Sequence, residues 1–280
     1  MSGTLFVVGT PIGNLGDISP RALETLENCD FIAAEDTRVT LKLLNRFEIK
    51  KPMVSYFEHN KRERGEIICN RIEQGENCAI VTDAGMPCIS DPGEDLIKLC
   101  EERGIKTVVI PGPSAVISAL AVSGLETGRF TFEGFLSVNK KSRNEHLQSI
   151  KNEHRTMIFY EAPHKLKAPL ADLRAAFGNR QISLCRELTK LNEEIIRTTL
   201  DAAVSLYNER EPRGEYVLIV AGQSAAEAVE DAFWAAMTLA EHVAYYVGEG
   251  KSKMDAIKAC AKDRGMAKNE VYKVVSGGTK

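Results

Sequence analysis

The segment from Val81 to Gly93 restricts the possible folds of this chain more than any other. It reads VTDAGMPCISDPG and follows an apolar run at residues 79–81 that is typical of a buried strand. Gly, Pro and Asp then occupy nearly every second position, a composition unsuited to a packed helix or strand. Gly85 allows a ligand to approach the backbone, and Asp83 and Asp91 supply acceptors. Because open α/β sheets bind ligands at the carboxyl ends of strands, the segment predicts a shaped pocket rather than an ordinary turn.

The first half of the chain repeats this alternation of strand, loop and helix. Apolar runs of strand length precede helical patterns at residues 5–8, 31–34, 53–56, 79–81 and 107–110. The alternation predicts a mostly parallel, doubly wound sheet. Irregular loops rich in Gly and Pro follow three of the strands, at residues 9–17, 83–93 and 111–114. Loops that follow parallel strands lie at one edge of the sheet, so we expect these three to converge on a small-molecule pocket.

The second half also alternates strands with helices. Strands are predicted at residues 129–133, 156–160, 182–185 and 216–220, and charged residues follow the second and third of them. Residues 137–155 contain five basic and two acidic side chains. A basic face is most often merely solvated, but this one adjoins the predicted pocket, which favours contact with a phosphate backbone.

The composition changes after Gly222. Residues 225–250 contain five acidic side chains and no Lys or Arg, whereas residues 251–280 contain eight basic and three acidic ones. Two short helices, at residues 252–263 and 268–275 and joined at Gly265, fit the basic part. A helix-turn-helix that binds nucleic acid is one interpretation, and a packed all-α tail is the commoner one.

Length and composition exclude several classes of protein. A chain of 280 residues suggests about two domains, and a formal charge of -3 means that any basic surface must be local. The seven cysteines lie at least nine residues apart and the five histidines show no ligand spacing. We therefore expect no disulfide framework and no metal site, and a reducing, cytoplasmic compartment. No signal peptide or membrane span is predicted.

Seven short segments form a highly specific combination. They are GTPIGNL at 9–15, AEDTR at 34–38, DAGxP at 83–87 with SDPG at 90–93, PGPSA at 111–115, EGFL at 133–136, FYE at 159–161 and RELTK at 186–190. In this order, over about residues 4–222, the sequence resembles the ribosomal RNA small subunit methyltransferase I family of the tetrapyrrole-methylase-like superfamily.

The resemblance implies an S-adenosylmethionine-dependent enzyme that methylates the ribose 2′-oxygen of a cytidine in small-subunit (16S) ribosomal RNA. It also implies a homodimer and a class III methyltransferase fold, in which two α/β domains hold the cofactor in the cleft between them. We place the N-terminal α/β domain at residues 1–121, the second α/β domain at 122–224 and a small helical C-terminal domain at 225–280.

We expect S-adenosylmethionine to bind across the three Gly/Pro loops, where backbone groups can serve its adenine, ribose and amino-acid parts. Further contacts should come from the strand end at residues 160–161. The predicted cofactor residues are Thr10, Pro11, Asp83, Ala84, Gly85, Met86, Ser114, Ala115, Tyr160 and Glu161.

Transfer of a methyl group to a hydroxyl requires loss of the hydroxyl proton, and no metal cluster is visible to assist it. The candidates at strand ends are Asp36, Glu161, Glu187 and Lys190. A carboxylate could accept the proton, and Arg38 or Lys190 could stabilise the developing negative charge. Glu161 and Lys190 rank first because each follows a strand of the second domain and can face a cofactor held by the first. In the competing interpretation, these side chains only pair with one another.

Two other functions stay open at this point. A C-methyltransferase acting on a tetrapyrrole, either a corrin or a porphyrin, is the nearest rival, although the basic stretch at 137–155 argues against it. A non-catalytic RNA-binding assembly factor is the second rival, but it would not need the converging Gly/Pro loops. Cofactor binding distinguishes the assembly factor from the two enzymes.

Overall fold

The chain divides into two compact units, Met1–Ala221 and Gly222–Lys280. The computed structural model describes residues 2–91, 93–224, 227 and 233–276. The first unit contains both sheets, and the further division predicted between residues 121 and 122 stays a prediction. No helix among the described residues is long and apolar enough to cross a membrane.

The first sheet is fully parallel. Its strands are β1 (Thr4–Val8), β2 (Phe31–Ala34), β3 (Met53–Ser55), β4 (Cys78–Val81) and β5 (Lys106–Ile110), in the spatial order β3-β2-β4-β1-β5. The helices that alternate with them are α1 (Pro20–Asn28), α2 (Thr37–Arg46), α3 (Lys61–Glu73), α4 (Gly93–Glu102) and α5 (Ala115–Val122). Every residue of β2 and β4 is buried, as expected for parallel strands covered by helices on both faces.

The sequence specifies the start of these helices through their caps. Ser19 precedes Pro20 at the first position of α1, and its Oγ accepts a hydrogen bond from the backbone N–H of Ala22 at 3.1 Å. Asp36 caps α2 by accepting from the backbone N–H of Arg38 at 2.8 Å. The two caps determine the residues at which α1 and α2 begin after their strands.

The second sheet is mixed. Its strands are β6 (Phe130–Phe135), β7 (Thr156–Glu161), β8 (Gln181–Arg186), β9 (Glu194–Thr199) and β10 (Tyr216–Val220), in the order β6-β7-β10-β8-β9. Strands β6 and β7 are parallel, whereas β10 runs antiparallel to β7 and β8, and β9 antiparallel to β8. The accompanying helices are α6 (Lys140–Ser149), α7 (Lys167–Phe177) and α8 (Leu200–Glu209).

Apolar layers cover both faces of each sheet. Residues of α1 and α2 pack on one face of the first sheet, and residues of α3 and α4 on the other. In the second sheet, α6, α7 and α8 cover one face. Helix α5 covers the opposite face, where Val116 and Leu120 join Ile158 and Val217 in one buried cluster. Because α5 follows the last strand of the first sheet and packs on the second sheet, it connects the two sheets.

The second unit is helical over its described residues. Its helices are Leu239–Gly248, Lys253–Asp263 and Lys268–Val275, and their core includes Val243, Ile257, Cys260 and Val271. The first helix begins with a capping box between Thr238 and Glu241. The helices Lys253–Asp263 and Lys268–Val275 were predicted from the sequence, whereas Leu239–Gly248 was not. Strand β9 was also missed, because the charged run before it read as a loop.

Candidate active site

A cavity of about 500 Å³ lies where loops from both sheets meet. The first sheet contributes residues that follow β1, β2, β4 and β5, and the second contributes the ends of β6, β7 and β8 with the start of β10. The volume is in the range of pockets that bind small organic ligands. The predicted residues that the structure brings to this cavity are Ala84, Gly85, Met86, Ser114, Ala115, Tyr160, Glu161, Glu187 and Lys190.

The loop after β1 is fixed to the loop after β4. The backbone N–H of Thr10 donates to the carbonyl of Gly85 at 2.9 Å, and the N–H of Gly85 donates back at 3.1 Å. The buried Thr10 hydroxyl also donates to the carbonyl of Thr82 at 3.2 Å. These bonds hold the two loops in one orientation, so the cavity wall that they form is rigid.

Glycine is required where the loops after β1 and β5 touch. A Cβ atom on Gly9 would lie 2.7 Å from the Cα of Gly112, and one on Gly112 would lie 2.8 Å from the Cα of Gly9. Both distances are too short for real Cβ contacts, so any side chain would separate the loops. Gly85 has φ +89°, a conformation that other residues rarely adopt. Gly9 and Gly112 therefore allow the two loops to touch, and Gly85 allows the turn at the cavity wall.

Asp91 holds the irregular part of the loop after β4. Its Oδ1 accepts from the backbone N–H of Cys88 at 2.7 Å and from that of Gly93 at 3.0 Å. Burial raises the pKa of Asp91 despite these two hydrogen bonds, which lower it. Cys88 and Ser90 have positive φ values of 70° and 62°. Non-glycine residues in this region are uncommon and concentrate at functional sites.

Glu161, at the end of β7, is a buried carboxylate with one free oxygen. Its side chain is 3% exposed, and Oε1 accepts from the backbone N–H of Ala162 at 2.9 Å. Among the described residues, Oε2 has no hydrogen-bond partner. Burial raises the pKa of Glu161, and the bond from Ala162 and the charge of Lys165 only partly oppose it. A desolvated carboxylate oxygen without a partner, on a residue that lines the cavity, can take up a proton.

Lys190 lies in a cluster of charges at the same cavity. Its Nζ donates to Glu187 Oε1 at 2.9 Å and to Glu215 Oε2 at 2.7 Å. Burial would lower the pKa of Lys190, but its bonds to Glu215 and Glu187 outweigh burial and raise it. The bond from Lys190 lowers the pKa of Glu187. Both groups are therefore charged, and pairing between Lys190 and Glu187, the competing interpretation from the sequence, is present.

The loop that holds this cluster has an unusual backbone. Glu187 and Thr189 have φ values of 52° and 65°, and a β-branched residue such as threonine is rarely found there. The Thr189 hydroxyl accepts from the backbone N–H of Asn14 at 3.1 Å. The second sheet is thereby linked to the loop after β1, across the cavity edge.

Four of the predicted site residues do not line the cavity. Asp36 binds Arg38 through two side-chain bonds of 3.0 and 2.7 Å and caps α2. The side-chain bond from Arg38 lowers the pKa of Asp36 to about 2. Asp83 accepts from the backbone N–H of Asp36, and its pKa is raised by burial. Thr10 and Pro11 are also outside the lining, and Thr10 acts on the wall through its backbone bonds to Gly85.

Several lining residues were not predicted. They include Glu35, Thr82, Phe135, His164, Glu215 and Tyr216, whereas Ile12 and Ile89 lie within the loops that were predicted to form the pocket. Glu215 was missed because it precedes a strand, and only strand carboxyl ends were considered. Since β10 is antiparallel to β7 and β8, Tyr216 pairs with Glu161 and Arg186, and the start of β10 lies beside their ends. Phe135 was visible as part of the EGFL segment but received no role.

All seven cysteines are free thiols. No group of three or more His, Cys, Asp or Glu side chains that could hold a metal occurs within the residues that the structure describes.

Comparison with known proteins adds the family. The family model described as Tetrapyrrole (Corrin/Porphyrin) Methylases matches residues 4–204. Among solved structures, a diphthine synthase aligns with a TM-score of 0.60 and 16% identity over 79% of this chain and 91% of that one. A uroporphyrin-III-C-methyltransferase from Thermus thermophilus aligns with a TM-score of 0.54 and 18% identity over 78% and 94%. These two likenesses show the fold.

Three proteins named ribosomal RNA small subunit methyltransferase I are much more similar. The one from Halalkalibacterium halodurans is 46% identical over 97% of this chain and 94% of its own length. The one from Bacillus subtilis is 44% identical over 96% and 93%. The one from Thermotoga maritima is 45% identical over 221 residues, which are 79% of this chain and 99% of that protein.

The fold and the family match define a methyltransferase of the tetrapyrrole methylase class, with two α/β layers followed by a helical region. The fold class predicted from the sequence is confirmed. Within that class, the chain belongs to the ribosomal RNA small subunit methyltransferase I family, which confirms the resemblance found in its motifs.

Proposed function

We propose that this protein uses S-adenosylmethionine to methylate the ribose 2′-oxygen of a cytidine in small-subunit ribosomal RNA. The observation that most directly supports this proposal is the buried Oε2 of Glu161, which has no hydrogen-bond partner among the described residues and belongs to a residue that lines the cavity. A hydroxyl group loses its proton during methylation, and this oxygen can accept it. The names of the relatives support ribosomal RNA as the substrate.

The residues present fit S-adenosylmethionine as the methyl donor. Gly85 lines the cavity with backbone alone, and a Cβ there would already contact Ile12 at 3.4 Å and Pro113 at 3.6 Å. Ser114 precedes α5 without forming a side-chain cap, so its hydroxyl is available to a carboxylate. Together with Met86, Ala115 and Tyr160, these residues would hold the cofactor, which supplies an electrophilic methyl group on a sulfonium.

Glu161 is the best proton acceptor among the four catalytic candidates. Asp36 lies outside the lining and is paired with Arg38, and Glu187 is paired with Lys190. Their lowered pKa values make both carboxylates weaker bases than Glu161, whose pKa burial raises. Glu161 alone of the three combines a raised pKa with an oxygen that lacks a partner.

Lys190 remains an ammonium because two carboxylates bind it. Its charge at the cavity can stabilise negative charge that develops on the attacking oxygen or can bind a nearby phosphate. Alignment of the oxygen with the methyl group supplies much of the remaining rate enhancement, because both reactants are then held in one orientation. The fixed loops at Thr10 and Gly85 provide the rigid wall that such alignment needs.

The basic stretch at 137–155 supports RNA binding less than its sequence suggested. Arg143 is buried against Asp172, with its Nε donating to Oδ2 at 2.7 Å, and Arg155 pairs with Glu153. Lys140 and Lys141 remain exposed at the start of α6. We therefore propose that a larger share of phosphate contacts comes from the lysines of the second unit, among them Lys268 and Lys273.

We also propose that the protein acts as a homodimer in the cytoplasm. Strand β5 is an edge strand, and Val109 on it and Ile117 and Val122 on α5 are exposed. Exposed apolar edges are usually covered in the native assembly. Seven free thiols fit a reducing compartment. Sedimentation equilibrium of the wild-type protein should give twice the mass of one chain. Ile117→Glu should lower the measured mass toward that of a single chain. A monomeric wild-type protein would contradict the dimer.

Methyl transfer to isolated small ribosomal subunits tests the proposed activity. Subunits from cells that lack the protein receive S-adenosylmethionine with a tritiated methyl group, and uroporphyrinogen III is offered in a parallel reaction. We expect label in the RNA, in a dinucleotide that resists alkali because its 2′-oxygen is methylated. Asp36→Asn is the matched control with near wild-type activity. Label in the tetrapyrrole, or in neither substrate, would contradict the proposal.

A further inference from the structure

Phe135, the last residue of β6, is an exposed aromatic ring on the cavity wall. Its side chain is 61% exposed at the end of β6, which is an edge strand of the second sheet. It lines the cavity together with Ile89 from the first sheet, which is 55% exposed. Large apolar groups left in solvent at the mouth of a pocket indicate that a ligand covers them.

A β-bulge directs this ring toward the cavity. Along β6, Phe132 pairs with Ile158, but the next pair is Gly134 with Phe159, so the register shifts between Phe132 and Gly134. Gly134 has φ +67°, as expected for the glycine of such a bulge. In a regular strand, residues three positions apart point to opposite faces. The bulge instead brings Phe132 and Phe135 to the same side of β7.

Tyr160 on β7 supports the ring of Phe135. The ring centroids of Phe135 and Tyr160 are 5.3 Å apart, and those of Phe132 and Tyr160 are 5.0 Å apart. Both separations are in the range of favourable aromatic pairs. Phe132 and Tyr160 are partly buried and pack against the buried cluster beneath α5, so Phe135 rests on side chains that the core supports.

The burial of Glu161 determines what must enter the cavity. If its Oε2 accepts the proton, the ribose 2′-oxygen has to come within hydrogen-bond distance of a side chain that is 3% exposed. A nucleotide stacked within an RNA helix cannot reach so far into the protein. The target nucleotide must therefore leave its stack, and its base then lacks stacking partners.

We propose that Phe135 is the stacking platform for the extruded base of the target nucleotide. The proposal rests on the function proposed above, because it assumes an RNA substrate at this cavity. Exposed aromatic rings bind unstacked bases in many RNA-binding proteins, and Phe135 is an exposed phenylalanine on this wall. Phe135 thereby binds the substrate without taking part in proton transfer.

The test compares Phe135→Ala with Phe130→Ala. Phe130 belongs to the same strand and is 37% exposed, but it does not line the cavity. For Phe135→Ala we expect kcat/KM for small subunits to fall about 5- to 100-fold, the range of losses when a stacked base loses its aromatic partner. The Kd for S-adenosylmethionine should change less than about 2-fold. Phe130→Ala should retain both values.

Substitutions at the same position separate stacking from apolar contact. Phe135→Trp should restore most of the activity, whereas Phe135→Leu, which keeps apolar bulk without an aromatic face, should stay impaired. Near wild-type kcat/KM for Phe135→Ala would overturn the proposal. A matching loss of cofactor affinity would overturn it too, because the ring would then contact the adenine of the cofactor. Failure of the wild-type protein to label RNA would instead refute the proposed function.

Discussion

Replacement of Glu161 with glutamine should make the free protein more stable and the enzyme much slower. Glutamine keeps the acceptor for the backbone N–H of Ala162 and removes the negative charge from an oxygen that has no partner. Leaving a buried polar group unsatisfied costs about 1–3 kcal/mol, and more when the group is charged. Since the amide nitrogen would also be unpaired, we expect a net gain of only about 1 kcal/mol in the free energy of unfolding.

The gain should be measurable as a shift in melting temperature and should depend on pH. For a unit of 221 residues, about 1 kcal/mol corresponds to an increase in Tm of about 2–4 °C. Because burial raises the pKa of Glu161, the folded wild-type protein loses stability as pH rises from the unfolded-state pKa through the folded-state pKa. The advantage of Glu161→Gln should therefore be present near neutral pH and disappear at acidic pH.

Glu187→Gln is the matched control with the opposite sign. Lys190 lowers the pKa of Glu187, so its carboxylate stabilises the fold above the unfolded-state pKa. Its Oε1 also accepts from the backbone N–H of Glu215 at 3.0 Å. Removing this charge should lower the free energy of unfolding by about 1 kcal/mol near neutral pH.

The activity of the Glu161→Gln enzyme tests the role of the carboxylate. We expect kcat to fall by about 100-fold or more, as for loss of a general base, while the Kd for S-adenosylmethionine changes less than about 3-fold. Wild-type kcat should rise with pH through the raised pKa of Glu161 and then level off, and the variant should lack this rise. Unchanged kcat with much weaker cofactor binding would refute the reasoning, because Glu161 would then bind the positive charge of the cofactor.

Four further variants test the rest of the site and the second unit. Lys190→Ala should lower kcat by about 100-fold with little change in cofactor affinity. Asp36→Asn, outside the cavity, should keep near wild-type turnover. Equal losses of kcat in both variants would show that a position on the cavity does not matter. Gly85→Val should abolish cofactor binding in calorimetry, because a β-branched residue cannot hold φ +89° without moving the loop; unchanged affinity would remove this loop from the site. Deletion of Gly222–Lys280 should leave cofactor affinity within about 2-fold and weaken RNA binding with a smaller salt dependence; normal RNA affinity in the folded remainder would indicate a packing role for the second unit.

The Thermotoga maritima relative supports the deletion experiment. Its match covers 221 residues and 99% of that protein, which is the length of the first unit of this chain. A member of the family can therefore exist with a chain about as long as Met1–Ala221. We expect the second unit of this protein to modify RNA binding rather than to build the cofactor site.

Local sequence signals predicted the parts of the fold that local physics determines. Strands such as β4, buried on both faces, appear as short apolar runs, and caps such as Ser19-Pro20 mark the helix starts. Strand β9 was not predicted because it is a half-exposed edge strand that begins with a charged residue. That residue, Glu194, binds Arg186 and Arg210. Charged residues read as loop unless their distant partners are known.

The site was predictable where it follows parallel strands and not where the chain direction reverses. The Gly/Pro loops and Glu161 lie at strand ends, and the cavity includes them. Glu215 was missed because the antiparallel pairing of β10 cannot be read from local sequence. Arg143 illustrates the opposite error, since a residue counted as basic surface is buried against Asp172. Both cases depend on contacts between residues far apart in the chain.

Mass mapping of ribose methylation in small-subunit ribosomal RNA tests the central proposal most directly. RNA is compared from cells with the protein, cells without it, and cells with only the Glu161→Gln variant. We predict that one cytidine lacks its 2′-O-methyl group when the protein is absent, and that the variant restores little of it. An identical set of ribose methylations in all three RNAs would contradict the proposed function.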